Sequence, residues 1–136
     1  MVLSAHSGGY QVVSSILDRG GLNEHVKEVW LFDALYAQAD KFLAWSDKGG
    51  RRFINIYTEN GGTKGETEQM MATLKQRGSA FLMGRESEME SARLRTNDLI
   101  FLYSDLAHND VIDRRSTFRD FLRTSCLSEA TQDTSP

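Results

Sequence analysis

The sequence predicts an α/β protein, with a short, mostly parallel sheet flanked by helices. Three observations predict it. Five short apolar runs rich in branched and aromatic residues recur along the chain, apolar positions at helical spacing lie between most of them, and glycines mark the junctions. Such alternation suits parallel strands joined by right-handed helical crossovers, with the helices covering the sheet.

The strands are expected at 1–5, 28–33, 53–57, 80–83 and 99–103, each a run of four to six mainly apolar residues of the kind buried on both faces. Between the first and second, Val12, Val13, Ile16 and Leu17 form one face of a helix. Ala39, Phe42, Leu43 and Trp45 form a second such face, Met70, Met71 and Leu74 a third, and Phe118, Phe121 and Leu122 a last one. Gly20-Gly21, Gly49-Gly50, Gly61-Gly62 and Gly78 fall at the ends of these segments, where the chain must turn. The charged stretch 85–98 suits either a surface helix or a loop. Residues 1–125 are expected to form a single domain; the polar stretch beyond Ser125, chiefly 126–136, reads as a disordered tail with too little apolar surface to offset its ordering entropy.

Of 136 residues, 40% are hydrophobic and 26% charged, the balance of a soluble globular chain. A formal net charge of −3 gives no basic footprint for a phosphate backbone, so neither nucleic acid nor an anionic membrane is expected as a partner. Cys126 is the one cysteine and reads as a plain thiol. Without a secretory leader pattern or an apolar run of membrane-spanning length, the expected location is cytoplasmic. A strand-like run starting at Met1 with no lead-in gives the chain the look of a truncated one.

Ala5-His6-Ser7-Gly8-Gly9 lies between the first strand and the first helix, the setting in which a serine nucleophile is presented on a sharp turn. Small residues two positions before and after Ser7 let the chain turn tightly, and the N–H of Gly8 at the helix start suits a developing oxyanion. A Ser-Gly-Gly helix cap is the plainer reading. The motif resembles the Gly-x-Ser-x-Gly elbow of the α/β-hydrolases, particularly their esterase and lipase members, with Ala5 in place of the first glycine.

The resemblance covers only the C-terminal half of that fold and implies a truncated, α/β-hydrolase-like three-layer sandwich. In the family the nucleophile follows the fifth strand, and the later strands are neighbours, so the segments present here still form a continuous sheet with the first strand at its edge. The loop that usually gives the second oxyanion donor belongs to the first half and is not represented.

Three histidines can serve as the base. His6 adjoins Ser7 and more plausibly supports the turn or the substrate site, and His25 lies in a polar connection. His108 follows the last strand, where ligands of parallel sheets are met, and resembles the family's late catalytic histidine. Asp33 and Glu59, both at strand ends, compete to orient it. Asp33 is preferred because it ends an almost wholly apolar strand, where a carboxylate needs a partner, whereas Glu59 sits in a polar, Gly-rich turn. Tyr10 and Tyr36 are expected at the pocket mouth; Trp30, Phe32, Phe42 and Trp45 are expected in the core.

Together these residues imply a serine hydrolase that cleaves short-chain carboxylic esters through an acyl-enzyme on Ser7, with no cofactor and no metal. The alternative is a non-catalytic remnant of the fold or an interaction module. An apolar edge strand and a first helix without its full packing surface imply a homo-oligomer built on a dimer.

Overall fold

A computed structural model of the protein describes residues 1–129. The apolar runs lie side by side as β1 (Val2–His6), β2 (Glu28–Phe32), β3 (Arg52–Thr58), β4 (Leu82–Arg85) and β5 (Leu99–Ser104). The sheet runs β1-β2-β3-β5-β4, and all four pairings are parallel rather than mostly so. In register, Trp30 stands beside Ile54 and Ile54 beside Ile100.

Alternation along the strands sorts their side chains to two cores, because successive Cβ atoms point to opposite faces. Val29, Leu31, Phe53 and Phe101 meet α1 (Tyr10–Arg19), α2 (Ala39–Ser46) and α3 (Lys64–Gln76) through Val13, Leu17, Phe42, Leu43, Trp45, Met70 and Leu74. Trp30, Phe32, Ile54, Ile56, Ile100 and Leu102 face the other way, against Leu94 of α4 (Ser91–Arg95) and Phe121 of α5 (Thr117–Arg123). Trp30, Phe32, Phe42 and Trp45 are thus core residues, as their spacing predicts.

The chain order explains which helix lies on which face. From β1 to β3 and on to β4 each crossover steps in one direction, and right-handed crossovers then place α1, α2 and α3 on one side. From β4 the chain steps back to β5, so α4 falls on the opposite side. Connections from the neighbours β3 and β5 therefore leave for opposite faces, which opens a crevice between their carboxyl ends.

Several expected boundaries move. The fourth strand starts at Leu82 rather than Ala80 because α3 ends at Gln76 and Gly78, at φ +70°, turns the chain, leaving residues 79–81 as the approach to an edge strand. The stretch 85–98 resolves into a 3-10 turn (Glu86–Glu88) and α4. The last two strands are exchanged relative to their order in sequence, although the sheet is continuous with β1 at its edge.

At the C-terminus, Ser125 is buried and Cys126–Glu129 form a helical turn, α6, where the sequence predicts a fraying tail. The backbone N–H of Cys126 donates to Glu28 Oε1 at 2.7 Å, and the same carboxylate takes Trp30 Nε1 at 2.9 Å and Arg52 Nη1 at 3.2 Å. A buried acceptor at the amino end of β2, invisible in the composition of the tail, anchors it; the expected tail residues 130–136 lie outside the described residues. Among the described residues no helix is long and apolar enough to cross a membrane.

Candidate active site

β1 delivers the chain into a 3-10 turn, Ser7–Gly9, that runs straight into α1. Ser7 stands at φ +55°, a left-handed conformation that costs a non-glycine residue on the order of 1–3 kcal/mol and persists only where its surroundings impose it. The turn is tight enough that a Cβ on Gly9 would lie 3.1 Å from the Cβ of Ala5. Small residues two before and two after the serine are thus what lets strand and helix close on each other. Gly8, exposed at the amino end of the turn, carries an N–H of the kind that lacks an intrahelical acceptor.

β2 ends one residue earlier than its apolar run suggests, and Asp33 follows it at φ +48°. Its N–H still donates to Ile56 O of β3 at 2.9 Å, while its side chain turns into a site with no solvent exposure. Four donors converge on that carboxylate: Thr58 N–H at 3.2 Å and Thr63 Oγ1 on Oδ1, and Thr58 Oγ1 at 2.7 Å and His108 Nδ1 at 2.7 Å on Oδ2. A carboxylate this deeply buried is tolerable only with such a donor set. The chain at Gly61 passes so close that any Cβ there would overlap Asp33 Oδ2 and Thr58 Oγ1.

His108 reaches Asp33 from the loop that follows β5, arching back over the ends of β3 and β2. Its backbone carbonyl accepts a 2.8 Å hydrogen bond from His6 Nε2, and the two imidazole rings lie 4.6 Å apart. With Nδ1–H donating to Asp33, the Nε2 of His108 is the acceptor face of the ring, and no hydrogen bond among the described residues occupies it. Ser7 is next in chain to His6, one member of this imidazole pair. Its Oγ makes no hydrogen bond to His108 or to any other described group.

The structure brings together Asp33, His108 and His6, the residue before Ser7, while Glu59 pairs elsewhere. Glu59 is exposed and holds Lys64 Nζ at 2.8 Å through both carboxylate oxygens, an ion pair that keeps its carboxyl below the usual range and the Lys64 ammonium above its own. It makes no hydrogen bond to His108. Tyr36 meets the His108 ring edge-on at 6.3 Å between ring centres, and Tyr10 packs on Tyr36 at 5.8 Å. His25 is exposed in a separate turn, its carbonyl accepting the N-terminal ammonium at 2.9 Å.

Beside His108, a cleft of about 320 Å³ opens in the crevice between the ends of β3 and β5, walled by Thr58, Glu59, Gly61, Tyr103, Leu106 and His108. Among the described residues no group of three or more His, Cys, Asp or Glu side chains is placed to hold a metal ion. Sequence reasoning missed Thr58, Thr63 and Gly61. Their one signal is that Thr58 ends a strand adjacent to the one that Asp33 ends, a proximity that exists only once the sheet order is known.

Comparisons with protein-family models, with curated proteins and with solved structures returned no match. Fold and site alone define the class: an α/β protein with a five-stranded parallel sheet, whose carboxyl edge carries a serine on a left-handed strand-to-helix turn and a buried Asp33 bonded to a half-buried His108.

Proposed function

We propose that the protein is a serine hydrolase that cleaves short-chain carboxylic esters through an acyl-enzyme on Ser7, with His108 as general base and Asp33 as the residue that orients it. The observation that carries this reading is the 2.7 Å bond between Asp33 and His108 Nδ1, which leaves Nε2 free as an acceptor on a ring 4.6 Å from that of His6, the residue that precedes Ser7. The positive φ of Ser7 and the tight Ala5–Gly9 approach support it as a nucleophile turn. The α/β-hydrolase likeness belongs to the same proposal: β1, β2 and the strand before His108 occupy the places that the nucleophile, acid and histidine strands hold in the C-terminal half of that fold, with Asp33 in the earlier of the two positions from which the family takes its acid.

In this mechanism Ser7 Oγ adds to the ester carbonyl carbon as its proton passes to His108 Nε2. Asp33 stabilises the resulting imidazolium, and the Gly8 N–H donates to the oxyanion. Collapse of the tetrahedral adduct breaks the bond to the alcohol, which leaves with the proton from Nε2. Water, deprotonated by the same nitrogen, then attacks the acyl-enzyme, and the carboxylic acid departs as Ser7 regains its proton. The cleft beside His108 is small, which favours short acyl or alcohol groups. Nucleophile–base contacts are often long in sites without substrate and close when it binds, which accommodates an unbonded Ser7 Oγ.

A second reading, a hydrolase-fold interaction module that keeps the Asp–His pair for structure, is favoured by that same unbonded Oγ. Hydrolysis of p-nitrophenyl acetate and butyrate separates the two. Ser7→Ala and His108→Ala are expected to remove activity by about a hundredfold or more while both variants stay folded. Undiminished activity in Ser7→Ala contradicts the serine mechanism.

A further inference from the structure

Another buried carboxylate stands at the end of β4. Glu86 follows β4, and its side chain is fully shielded from solvent. Its Oε2 accepts from Ser104 Oγ and from Arg115 Nη1 at 3.0 Å, and its Oε1 accepts from Thr117 Oγ1 at 2.6 Å. All three donors belong to one segment, 104–117, the one that carries His108. Ser104 is the last residue of β5 and Thr117 the first of α5, so a single carboxylate ties both ends of the loop.

The tie extends into the loop itself. Ser104 Oγ also accepts the N–H of Leu106 at 3.2 Å, and Arg115 Nη2 reaches Asp105 Oδ1 at 2.7 Å. That pairing with Arg115 holds the Asp105 carboxyl below its usual range and raises the guanidinium, so the cross-link is charged on both sides at neutral pH. The loop is thereby held at its base by Glu86 and at its apex by Asp33 and His6.

We infer that Glu86 is a positioning residue for His108, acting through Ser104, Arg115 and Thr117 to fix the loop from which the imidazole reaches Asp33. The inference rests on the serine-hydrolase reading for its kinetic consequence and on geometry alone for its structural one. Glu86 touches neither substrate nor the reacting atoms. It limits the excursions of the His108 backbone, and a misplacement near 1 Å at a reacting group costs on the order of a hundredfold in rate.

The test compares Glu86→Gln and Arg115→Gln with Leu74→Val, which loosens the core at the far end of α3, away from the loop. Two quantities are read: kcat and KM for p-nitrophenyl butyrate, and the downfield proton NMR signal of the imidazole N–H that Asp33 holds, identified by its loss in His108→Ala. In Glu86→Gln, kcat is expected to fall by about tenfold to a hundredfold with KM little changed, while the signal broadens or shifts in a protein that remains folded. Arg115→Gln moves both in the same direction by less. Leu74→Val lowers the thermal midpoint and moves neither.

Glu86→Gln with an unaltered signal and unaltered kcat overturns the inference, as does a Leu74→Val variant that shifts both as much as Glu86→Gln does. Should Glu86→Gln not fold, Arg115→Gln decides by the same two readouts, since its side chain is partly exposed and its removal leaves Glu86 two hydroxyl donors. An unaltered signal and kcat in Arg115→Gln then count against the inference. A wild-type protein with no esterase activity removes the hydrolase reading, while the NMR signal still decides whether Glu86 sets the position of His108.

Discussion

Asp33 gathers four donors in a site without solvent, and Glu59 gathers one lysine in the open. That contrast sets the first prediction. Asp33→Asn presents an amide to hydrogen-bond donors that need an acceptor, and it leaves the His108 tautomer unfixed, so turnover is expected to fall by about a thousandfold or more; Glu59→Gln is expected to change it little. Steady-state kinetics on both variants checks the ranking, and the reverse order would move the orienting role to Glu59. Gly61 supplies the second prediction. A methyl group there overlaps the Asp33 carboxylate, so Gly61→Ala is expected to destabilise the fold by about 1–3 kcal/mol and to lower turnover together with it, measured by denaturant unfolding and the ester assay. At this scale the need of Asp33 for a partner was legible, because an apolar strand ending in a carboxylate demands one. Thr58, Thr63 and Gly61 were not, since what makes them matter is the adjacency of β2 and β3 rather than any local pattern.

The elements on the face that carries α4 and α5 rest on few contacts. Phe121 has no solvent exposure and packs edge-on to Trp30 at 5.7 Å and tilted against Phe32 at 5.6 Å, and it anchors the short helix that begins at Thr117. Phe121→Ala is expected to cost about 3–5 kcal/mol, a large part of a small domain's stability, with denaturant midpoint as the measure and a change below 1 kcal/mol contradicting the packing described. The turn Cys126–Glu129 depends on Glu28, and burial beside that carboxylate pushes the Cys126 thiol up. Less thiolate is then present at mildly alkaline pH than in the unfolded chain, so iodoacetamide is expected to alkylate Cys126 several-fold more slowly in native protein than in denaturant. Equal rates would contradict the anchored turn. Periodicity made the strands and the three longer helices legible at the right places. The turn and helix within 85–98 were not, because a charged, short segment has no apolar stripe long enough to set its period, and the anchoring of the C-terminal turn depends on an acceptor nearly a hundred residues away.

At the scale of the whole molecule, the sheet is open along β1, which among the described residues pairs only with β2. An edge strand leaves a row of backbone groups unpaired, and Val12 on α1 and Leu22 beyond it are 64% and 55% exposed. We expect pairing of two copies across this side; sedimentation at micromolar concentration should then give a species heavier than 15.3 kDa, whereas a fully active monomer would contradict it. The α/β class was legible from alternation alone, but the exchange of β4 and β5 was not, because local sequence does not encode the order in which strands join a sheet. That exchange opens the crevice beside His108, whose pairing with Asp33 we propose activates Ser7 as a nucleophile. The most direct measurement is incubation of the folded protein with a fluorophosphonate probe, followed by mass spectrometry to locate any adduct. A single adduct on Ser7, lost or much slowed in His108→Ala, is the expected result; intact, folded protein that takes up no probe, or takes it up elsewhere than Ser7, would overturn the serine mechanism.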